Sequence, residues 1–224
     1  CAPSVQAVAR GCDLAVEEVE CFYQWFADTG RTVTAFSQGI NQSVAGTDKA
    51  NAIINCHLAT GRVGRSGASP FSLTGQPNAM GGREVGGLAN TLAAHMDYDT
   101  PGALLRVSDF WHSEKMARGP GHKAVDLFEA VHRGEIRVLW VMGTNPAVSL
   151  PGSERIHQAL SRCQTLIVSD CVAQTDTTQF ADILLPAAGW GEKDGTVTNS
   201  ERRISRQRRF LPLPEQVRPD WQII

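Results

Sequence analysis

Three short polar segments that follow apolar runs are the places where this sequence could do chemistry. They are residues 39–42, 143–145 and 169–170. In an open parallel sheet, ligands bind beyond the carboxyl ends of the strands, and a glycine there permits close approach of the backbone. Asn145 and Gln42 offer both donors and acceptors, and the two oxygens of Asp170 can accept a pair of N–H donors. Ordinary turn chemistry would also place such residues there, so both interpretations stay open.

Several familiar sites are missing from the sequence. It has no G-x-G-x-x-G after a strand, no P-loop, no H-E-x-x-H and no G-x-S-x-G, which disfavours a standard NAD site, a P-loop and a nucleophile elbow. None of its cysteines forms a Cys-x-x-Cys pair, so we expect reduced, buried thiols of a cytosolic protein and no structural zinc site. The cysteines stand at positions 1, 12, 21, 56, 163 and 171.

Composition narrows the class of protein. The 224 residues are 42% hydrophobic and 20% charged, with a net charge of −2. These values predict one large or two small globular domains and neither a nucleic-acid nor a membrane partner. No apolar run approaches the roughly 18 residues that span a bilayer. The first residues lack an initiator Met and signal-peptide features, and the last ones are apolar, so we expect both ends to be cuts through a longer protein.

The second half of the chain predicts the elements that would position these segments. Strands are expected at 137–142, 165–168 and 183–185, separated by helices at 153–163 and 175–180. Ser153 would be the N-cap of the first of these helices. Alternation of strands and helices favours a right-handed parallel α/β unit, so the predicted fold class is α/β with Rossmann-like parallel sheets.

The first half predicts a less regular arrangement. Helices are expected at 13–28, about 47–60 with Thr47 or Asp48 as N-cap, 88–95 and 124–133. A strand at 32–36 would lead into a polar loop at 37–42. Residues 61–87 carry eight glycines, which is typical of a functional loop or a disordered linker, and their apolar residues favour an ordered loop. We expect one cofactor-binding domain to end near residue 133 and a second to cover 134–224.

Two basic features have alternative interpretations. Arg83 could attract a small anion or form an ion pair with its neighbour Glu84. The arginines near the end of the chain could clamp phosphates or form a solvated loop with salt bridges. These arginines are Arg202, Arg203, Arg206, Arg208 and Arg209.

Longer stretches resemble a known family. Residues 71–86 (FSLTGQPNAMGGREVG) are similar to the signature loop of bacterial nitrate reductases, in the form of the assimilatory branch. Residues 140–146 (WVMGTNP), the block from 181 to 203 (ADILLP through WGEKDGTVTNSERR) and residues 219–221 (PDW) resemble the molybdopterin oxidoreductase family. The resemblance runs from about residue 12 to residue 224.

The resemblance implies a fold, a cofactor and a set of contacts. Members are multi-domain α/β enzymes in which two pterin guanine dinucleotides ligate one molybdenum ion. Gln38, Gly39 and Gln42 would touch a dinucleotide at a strand end. On the second sheet, Gly143 and Asn145 would meet a phosphate or ribose, Ser169 and Asp170 the guanine, and Lys193 and Asp220 further parts of the cofactor. Arg83 would lie in the funnel that draws in nitrate.

The family also implies parts that this chain lacks. A [4Fe-4S] cluster is expected in the parent protein, and neither its cysteine motif nor the cysteine that ligates molybdenum is identifiable here. The implied reaction is the reduction of nitrate to nitrite in the cytoplasm, with ferredoxin, flavodoxin or an NADH-linked subunit as electron donor. Alternatives are a formate dehydrogenase or other bis-pterin oxidoreductase, or a non-catalytic scaffold of the same fold. We expect the isolated chain to be inactive and to bind cofactor weakly or not at all.

Overall fold

The computed structural model describes residues 4–224, which form two compact units. The first unit ends at Gln76 and the second runs from Pro77 to Ile224. The predicted change of domain near residue 133 concerns the domains of the whole protein and stays a prediction. The two units are described separately.

The described part of the first unit, residues 4–76, contains a pair of parallel strands and four helices. Strands β1 (Val33–Phe36) and β2 (Ser69–Ser72) pair with Val33 opposite Ser69 and Phe36 opposite Ser72. Their carboxyl ends therefore lie at the same edge. The helices are α1 (Val5–Cys12), α2 (Val16–Asp28), α3 (Gln38–Asn41) and α4 (Gly46–Ala59).

Local hydrogen bonds explain where the first helices begin. Ser4 caps α1, since its hydroxyl accepts a hydrogen bond from the backbone N–H of Ala7 at 3.2 Å. Asp13 then takes a left-handed conformation with φ of 55°, which separates α1 from α2. The predicted helix at 13–28 was therefore too long at its start, and α1 was not predicted.

The start of α4 depends on a close approach rather than on a polar cap. A Cβ on Gly46 would lie 2.6 Å from the carbonyl oxygen of Asn41 and 2.9 Å from that of Ile40. Only glycine fits there, and the cap position is Ala45. The predicted N-cap at Thr47 or Asp48 was therefore wrong. The predicted polar loop at 37–42 was also wrong in part, because it contains α3.

The second unit is built around a three-stranded parallel sheet. Strands β3 (Val138–Met142), β4 (Thr165–Asp170) and β5 (Ile183–Pro186) lie in the order β3-β4-β5. This arrangement confirms the predicted parallel α/β class. Its helices are α5 (Ala79–Glu84), α6 (Ala103–Trp111), α7 (Ala124–His132), α8 (Pro146–Ser149), α9 (Ser153–Arg162) and α10 (Asp220–Ile223).

Shorter elements complete the second unit. Three turns of 3-10 helix cover Ala93–His95, Thr178–Phe180 and Trp190–Glu192. Strands β6 (Gly195–Thr198) and β7 (Ile204–Gln207) form an antiparallel hairpin.

The core of the second unit lies between the sheet and helices α7 and α9. Leu166 and Val168 of the central strand are completely buried. They belong to one apolar cluster with side chains from both helices and from β3, because apolar strands of a parallel sheet need cover. Its other buried members are Phe128, Val131, Leu139, Val141, Ala147, Ile156, Ala159 and Leu160.

The structure corrects several other predicted elements, one of which spans the boundary between the two units. The glycine-rich stretch 61–87 is not a continuous loop, because it contains β2 and α5. The predicted helix at 88–95 is reduced to a 3-10 turn, since Ala94 and His95 take positive φ values of 57° and 56°. Helix α9 is capped by Gly152, with φ of 69°, and Ser153 is its first residue. The predicted helix at 175–180 is only a 3-10 turn at Thr178–Phe180.

The cysteines differ from the expectation of buried thiols. Four of the described ones are exposed and Cys163 is half-buried. The four exposed cysteines stand on helix surfaces and in a loop, whereas Cys163 packs against the apolar cluster of the second unit. The prediction of buried thiols was therefore wrong for the exposed four; Cys1 lies outside the described residues. None of the helices within residues 4–224 has the length and apolar character to cross a membrane.

A buried histidine makes the stability of the first unit depend on pH. The Nε2 of His57 lies 2.7 Å from the hydroxyl of Thr34, and its ring meets the edge of Phe26 with centroids 5.3 Å apart. Arg62 is also buried, and the central carbon of its guanidinium lies 4.8 Å from the centroid of the Phe26 ring. Burial, and then the Arg62 cation, lower the pKa of His57 below its ordinary value.

We expect the free energy of unfolding to fall as the pH drops below about 6.5, where the unfolded histidine binds a proton that the folded one resists. Above that pH this contribution is fully present. Urea unfolding at pH 7.5 and pH 5 measures this change in the free energy of unfolding.

His132, whose pKa is lowered mainly by burial and then by Arg155, adds a change of the same sign. His57→Gln and His132→Gln separate the two. An unchanged pH dependence in His57→Gln would contradict this account.

The central strand gives a test of the core. Leu166→Ala should reduce the free energy of unfolding by about 2–5 kcal/mol, because a fully buried leucine leaves a cavity in the apolar cluster. Val172→Ala, at a half-exposed position just beyond the same strand, is the matched control. A loss in Leu166→Ala no larger than in the control would contradict the assignment of this core.

Candidate functional site

The ends of the three parallel strands form one continuous edge in the second unit. Beyond β3, the backbone N–H of Gly143 donates to the carbonyl of Ser169 at 2.9 Å. Beyond β4, the carbonyl of Asp170 accepts from the N–H of Ala187 at 3.0 Å. The structure therefore brings together the predicted segments 143–145 and 169–170. We call the surface formed by residues 143–145, 169–170 and 187–188 the strand-end edge.

Gly143 leaves open space at this edge. Its φ is 61°, a left-handed conformation that favours glycine. A Cβ built there would have no heavy atom within 4 Å among the described residues. The glycine is thus required by the backbone turn and not by packing, and the space beside it is free for a ligand.

Asn145 presents one half of its amide to the protein. Its Oδ1 accepts a hydrogen bond from the hydroxyl of Thr177 at 2.6 Å. Its Nδ2 donates to no residue between 4 and 224, and the residue is only half-buried, so this NH2 group can be reached from solvent. The two N–H donors of this amide are therefore available to an acceptor at the strand-end edge.

The side chains of Ser169 and Asp170 have different surroundings. Ser169 is 2% exposed, and its hydroxyl accepts a hydrogen bond from the indole N–H of Trp140 at 2.8 Å. Its hydroxyl holds the strand end rather than facing solvent. The Oδ1 of Asp170 accepts from the N–H of Val172 at 3.0 Å, and its Oδ2 has no partner within residues 4–224. Asp170 can therefore offer a carboxylate oxygen to a ligand.

Lys193 and Asp220 form an ion pair beside the end of β5. The ammonium of Lys193 donates to the carboxylate of Asp220, and their side chains are 25% and 42% exposed. Backbone bonds from Ala188 to Arg218 at 2.9 Å and from Arg218 to Pro186 at 3.1 Å bring the C-terminal segment alongside the strand. The two predicted cofactor residues thus lie together, although each is bound to the other in this structure. A partly exposed ion pair of this kind contributes about 0–1 kcal/mol to stability, so contacts to a ligand can replace it.

The first unit has a second group of polar residues at the ends of its parallel strands. Gln38, at the start of α3, donates from Nε2 to the side-chain oxygen of Gln76 at 3.5 Å. Asn41 donates to the hydroxyl of Ser72 at 3.1 Å. Gly39 and Gln42 are exposed on the same short helix and its end. The three predicted residues of this unit therefore share one strand end.

Arg83 is exposed near the end of α5, and its guanidinium has no ion-pair partner within residues 4–224. Its neighbour Glu84 pairs with Arg202 at 2.8 Å instead. The side chain of Arg206 lies 3.5 Å from Asp194. The sequence alternative of an Arg83–Glu84 ion pair is thus wrong, and the anion-attracting role of Arg83 stays a prediction. Within residues 4–224 there is no group of three or more His, Cys, Asp or Glu side chains that could hold a metal ion.

Comparison with known proteins identifies the family. A family model described as molybdopterin oxidoreductase matches residues 11–224. The chain belongs to the molybdopterin oxidoreductase family. This membership confirms the family resemblance carried by residues 71–86, 140–146, 181–203 and 219–221.

Individual relatives agree with the family match. A nitrate reductase of Klebsiella oxytoca is 57% identical over 217 residues, which are 97% of this chain and 25% of the relative. A nitrate reductase of Shewanella frigidimarina is 53% identical over 93% of this chain and 22% of the relative. An F420-dependent formate dehydrogenase subunit alpha of Methanocaldococcus jannaschii is 31% identical over 89% of this chain and 29% of its own length. The chain thus spans about a quarter of the length of these relatives.

The structure adds residues that the sequence did not single out. Thr177 supports Asn145, Trp140 supports Ser169, and Gln76 meets Gln38. Thr177 stands in a run of polar residues and carried no recognisable signal. Trp140 could have been found, because an indole in a buried strand needs a partner for its N–H.

The bond from Trp140 to Ser169 gives a test of this edge. Trp140→Phe should lower the free energy of unfolding by about 1–3 kcal/mol, because it removes the indole N–H and leaves the buried hydroxyl of Ser169 without its donor. Adding Ser169→Ala should restore part of the loss, since both polar groups are then gone. A double-mutant cycle by urea unfolding measures the coupling. Strictly additive losses would contradict a direct contribution of this hydrogen bond.

Proposed function

We propose that the protein containing this chain is a cytoplasmic molybdenum enzyme that reduces nitrate to nitrite in nitrate assimilation. Two electrons and two protons would convert nitrate into nitrite and water. The electrons would come from ferredoxin, flavodoxin or an NADH-linked subunit through a [4Fe-4S] cluster whose ligands lie outside this chain. The nitrate reductase relatives and the form of residues 71–86 support this proposal.

The role proposed for this chain is to bind molybdenum-bis(molybdopterin guanine dinucleotide). The single observation that carries it is the strand-end edge. There, side-chain atoms of Asn145 and Asp170 that have no partner within residues 4–224 lie beside the open space at Gly143. Such a set fits a nucleotide, because a guanine edge donates N–H groups and phosphate and ribose oxygens accept them. The bound group would supply the redox chemistry, and the protein supplies positioning and electrostatics.

Each predicted residue has a part in this proposal. Asp170 would accept the two N–H groups of a guanine edge once its bond to Val172 lengthens or is shared. Lys193 and Asp220 would exchange part of their mutual ion pair for contacts to the cofactor. Ser169 would act through its backbone and by fixing Asp170, because its hydroxyl is bound to Trp140.

The first unit would contribute a second set of contacts. Gln38, Gly39 and Gln42 would contact a dinucleotide from the carboxyl end of β1. Arg83, whose guanidinium has no ion-pair partner among the described residues 4–224, would attract nitrate electrostatically.

A second candidate function is formate oxidation. The formate dehydrogenase relative covers most of this chain at 31% identity, so the cofactor contacts proposed here would serve either reaction. Assays of the full-length protein with reduced viologen and nitrate, and with formate and an oxidised dye, distinguish the two. We expect nitrite production and no formate oxidation. Formate oxidation without nitrite production would overturn the main proposal.

The cofactor role of Asp170 is tested in the full-length protein. Asp170→Asn replaces one carboxylate oxygen by an N–H donor that opposes the guanine donors, so we expect molybdenum content and nitrate reduction to fall about tenfold or more. Asp176→Asn, an exposed carboxylate in the loop after β4, is the matched control and should retain both. Equal molybdenum content in wild type and Asp170→Asn would contradict the assignment.

A further inference from the structure

The hydroxyl of Thr177 is buried between the side chain of Asn145 and helix α8. Thr177 is 0% exposed. Its hydroxyl donates to Oδ1 of Asn145 at 2.6 Å and accepts from the backbone N–H of Ala147 at 3.2 Å. Asn145 precedes α8 but makes no capping bond with its own side chain. Thr177, from a distant part of the chain, thus accepts the hydrogen bond that caps α8 and donates one to the amide of Asn145 at the same time.

This arrangement fixes which half of the amide faces the protein. The hydroxyl of Thr177 has one proton, and its oxygen already accepts from Ala147. If the amide were flipped, its NH2 group would also donate to this oxygen, and the hydroxyl proton would be left without an acceptor in a buried place. An unsatisfied buried donor costs free energy, so the oxygen of Asn145 faces Thr177 and the NH2 group faces away.

We infer that Thr177 is a positioning residue that makes Asn145 a hydrogen-bond donor toward the bound nucleotide. The amide is then suited to an acceptor oxygen of the nucleotide, on a phosphate, a ribose or the guanine carbonyl, and not to an N–H donor. This inference rests on the proposed function, in which the strand-end edge binds the guanine dinucleotide cofactor. It assigns a role to a residue that touches no ligand itself.

The test uses the full-length protein with Thr177→Val, which keeps the shape of the side chain and removes the hydroxyl. The rate of cofactor loss is followed through molybdenum and released guanine nucleotide, and the melting temperature is recorded in parallel. We expect about tenfold faster loss of cofactor, because the amide is no longer held in the donor orientation. Thr177→Ser keeps the hydroxyl and should restore the slow rate. Thr198→Val, at another buried threonine of this unit, controls for the general effect of such a substitution.

A double-mutant comparison separates positioning from general destabilisation. In an Asn145→Ala background, Thr177→Val should cause no further acceleration of cofactor loss, since the side chain that it orients is absent. The same tenfold acceleration in both backgrounds would overturn the inference, and so would an unchanged rate in Thr177→Val alone. Wild-type protein without molybdenum or guanine nucleotide would overturn the proposed function itself.

A second variant decides the matter if Thr177→Val does not fold. Asn145→Asp keeps an oxygen for the hydroxyl of Thr177 and replaces the outward NH2 group by a charged oxygen. We expect its melting temperature to stay near that of the wild type while cofactor is lost at least about tenfold faster, because two acceptors then face each other. Full cofactor retention in Asn145→Asp would show that the outward group need not be a donor, and would overturn the inference.

Discussion

The parallel pairing of β3, β4 and β5 is the constraint on which the candidate site depends. Since all three strands run in the same direction, the residues that follow them collect at one edge. Two backbone hydrogen bonds continue the pairing past the strand ends, from Gly143 to Ser169 and from Ala187 to Asp170. The buried leucine and valine of the central strand anchor this sheet to α7 and α9. The polar strand-end edge is therefore held in place by an apolar cluster between the sheet and the two helices.

The polar side chains at the strand-end edge are of two kinds: some hold other protein groups in place, and others can bind a ligand. The hydroxyls of Thr177 and Ser169 are buried and bound within the protein, since Thr177 donates to Asn145 and Ser169 accepts from Trp140. Asn145 and Asp170 are partly exposed, and each keeps one side-chain atom without a partner among residues 4–224. Buried polar groups need partners, so the supporting bonds leave these two side chains with defined orientations. This division is the physical basis of the proposed cofactor contacts.

Much of the sheet could be predicted from the sequence, because apolar runs bounded by glycine, asparagine or aspartate mark buried parallel strands. The strand-end rule then located Asn145 and Asp170 without the structure. Tertiary contacts decided the rest. The start of α4 depends on the close approach of Gly46 to the carbonyl of Asn41. Within the glycine-rich stretch, residues 69–72 form a strand because β1 provides a partner. The role of Thr177 was equally hidden, since it depends on a contact 32 residues away along the chain.

The central claim is that the strand-end edge holds a guanine nucleotide of a molybdenum cofactor. A structure of the full-length protein with its cofactor bound, at a resolution that shows individual hydrogen bonds, tests it most directly. The account predicts a guanine edge within about 3 Å of the Asp170 carboxylate and an acceptor oxygen of the nucleotide at the same distance from Nδ2 of Asn145. A cofactor whose nucleotides lie elsewhere, with Asp170 and Asn145 facing only protein or water, would contradict the account.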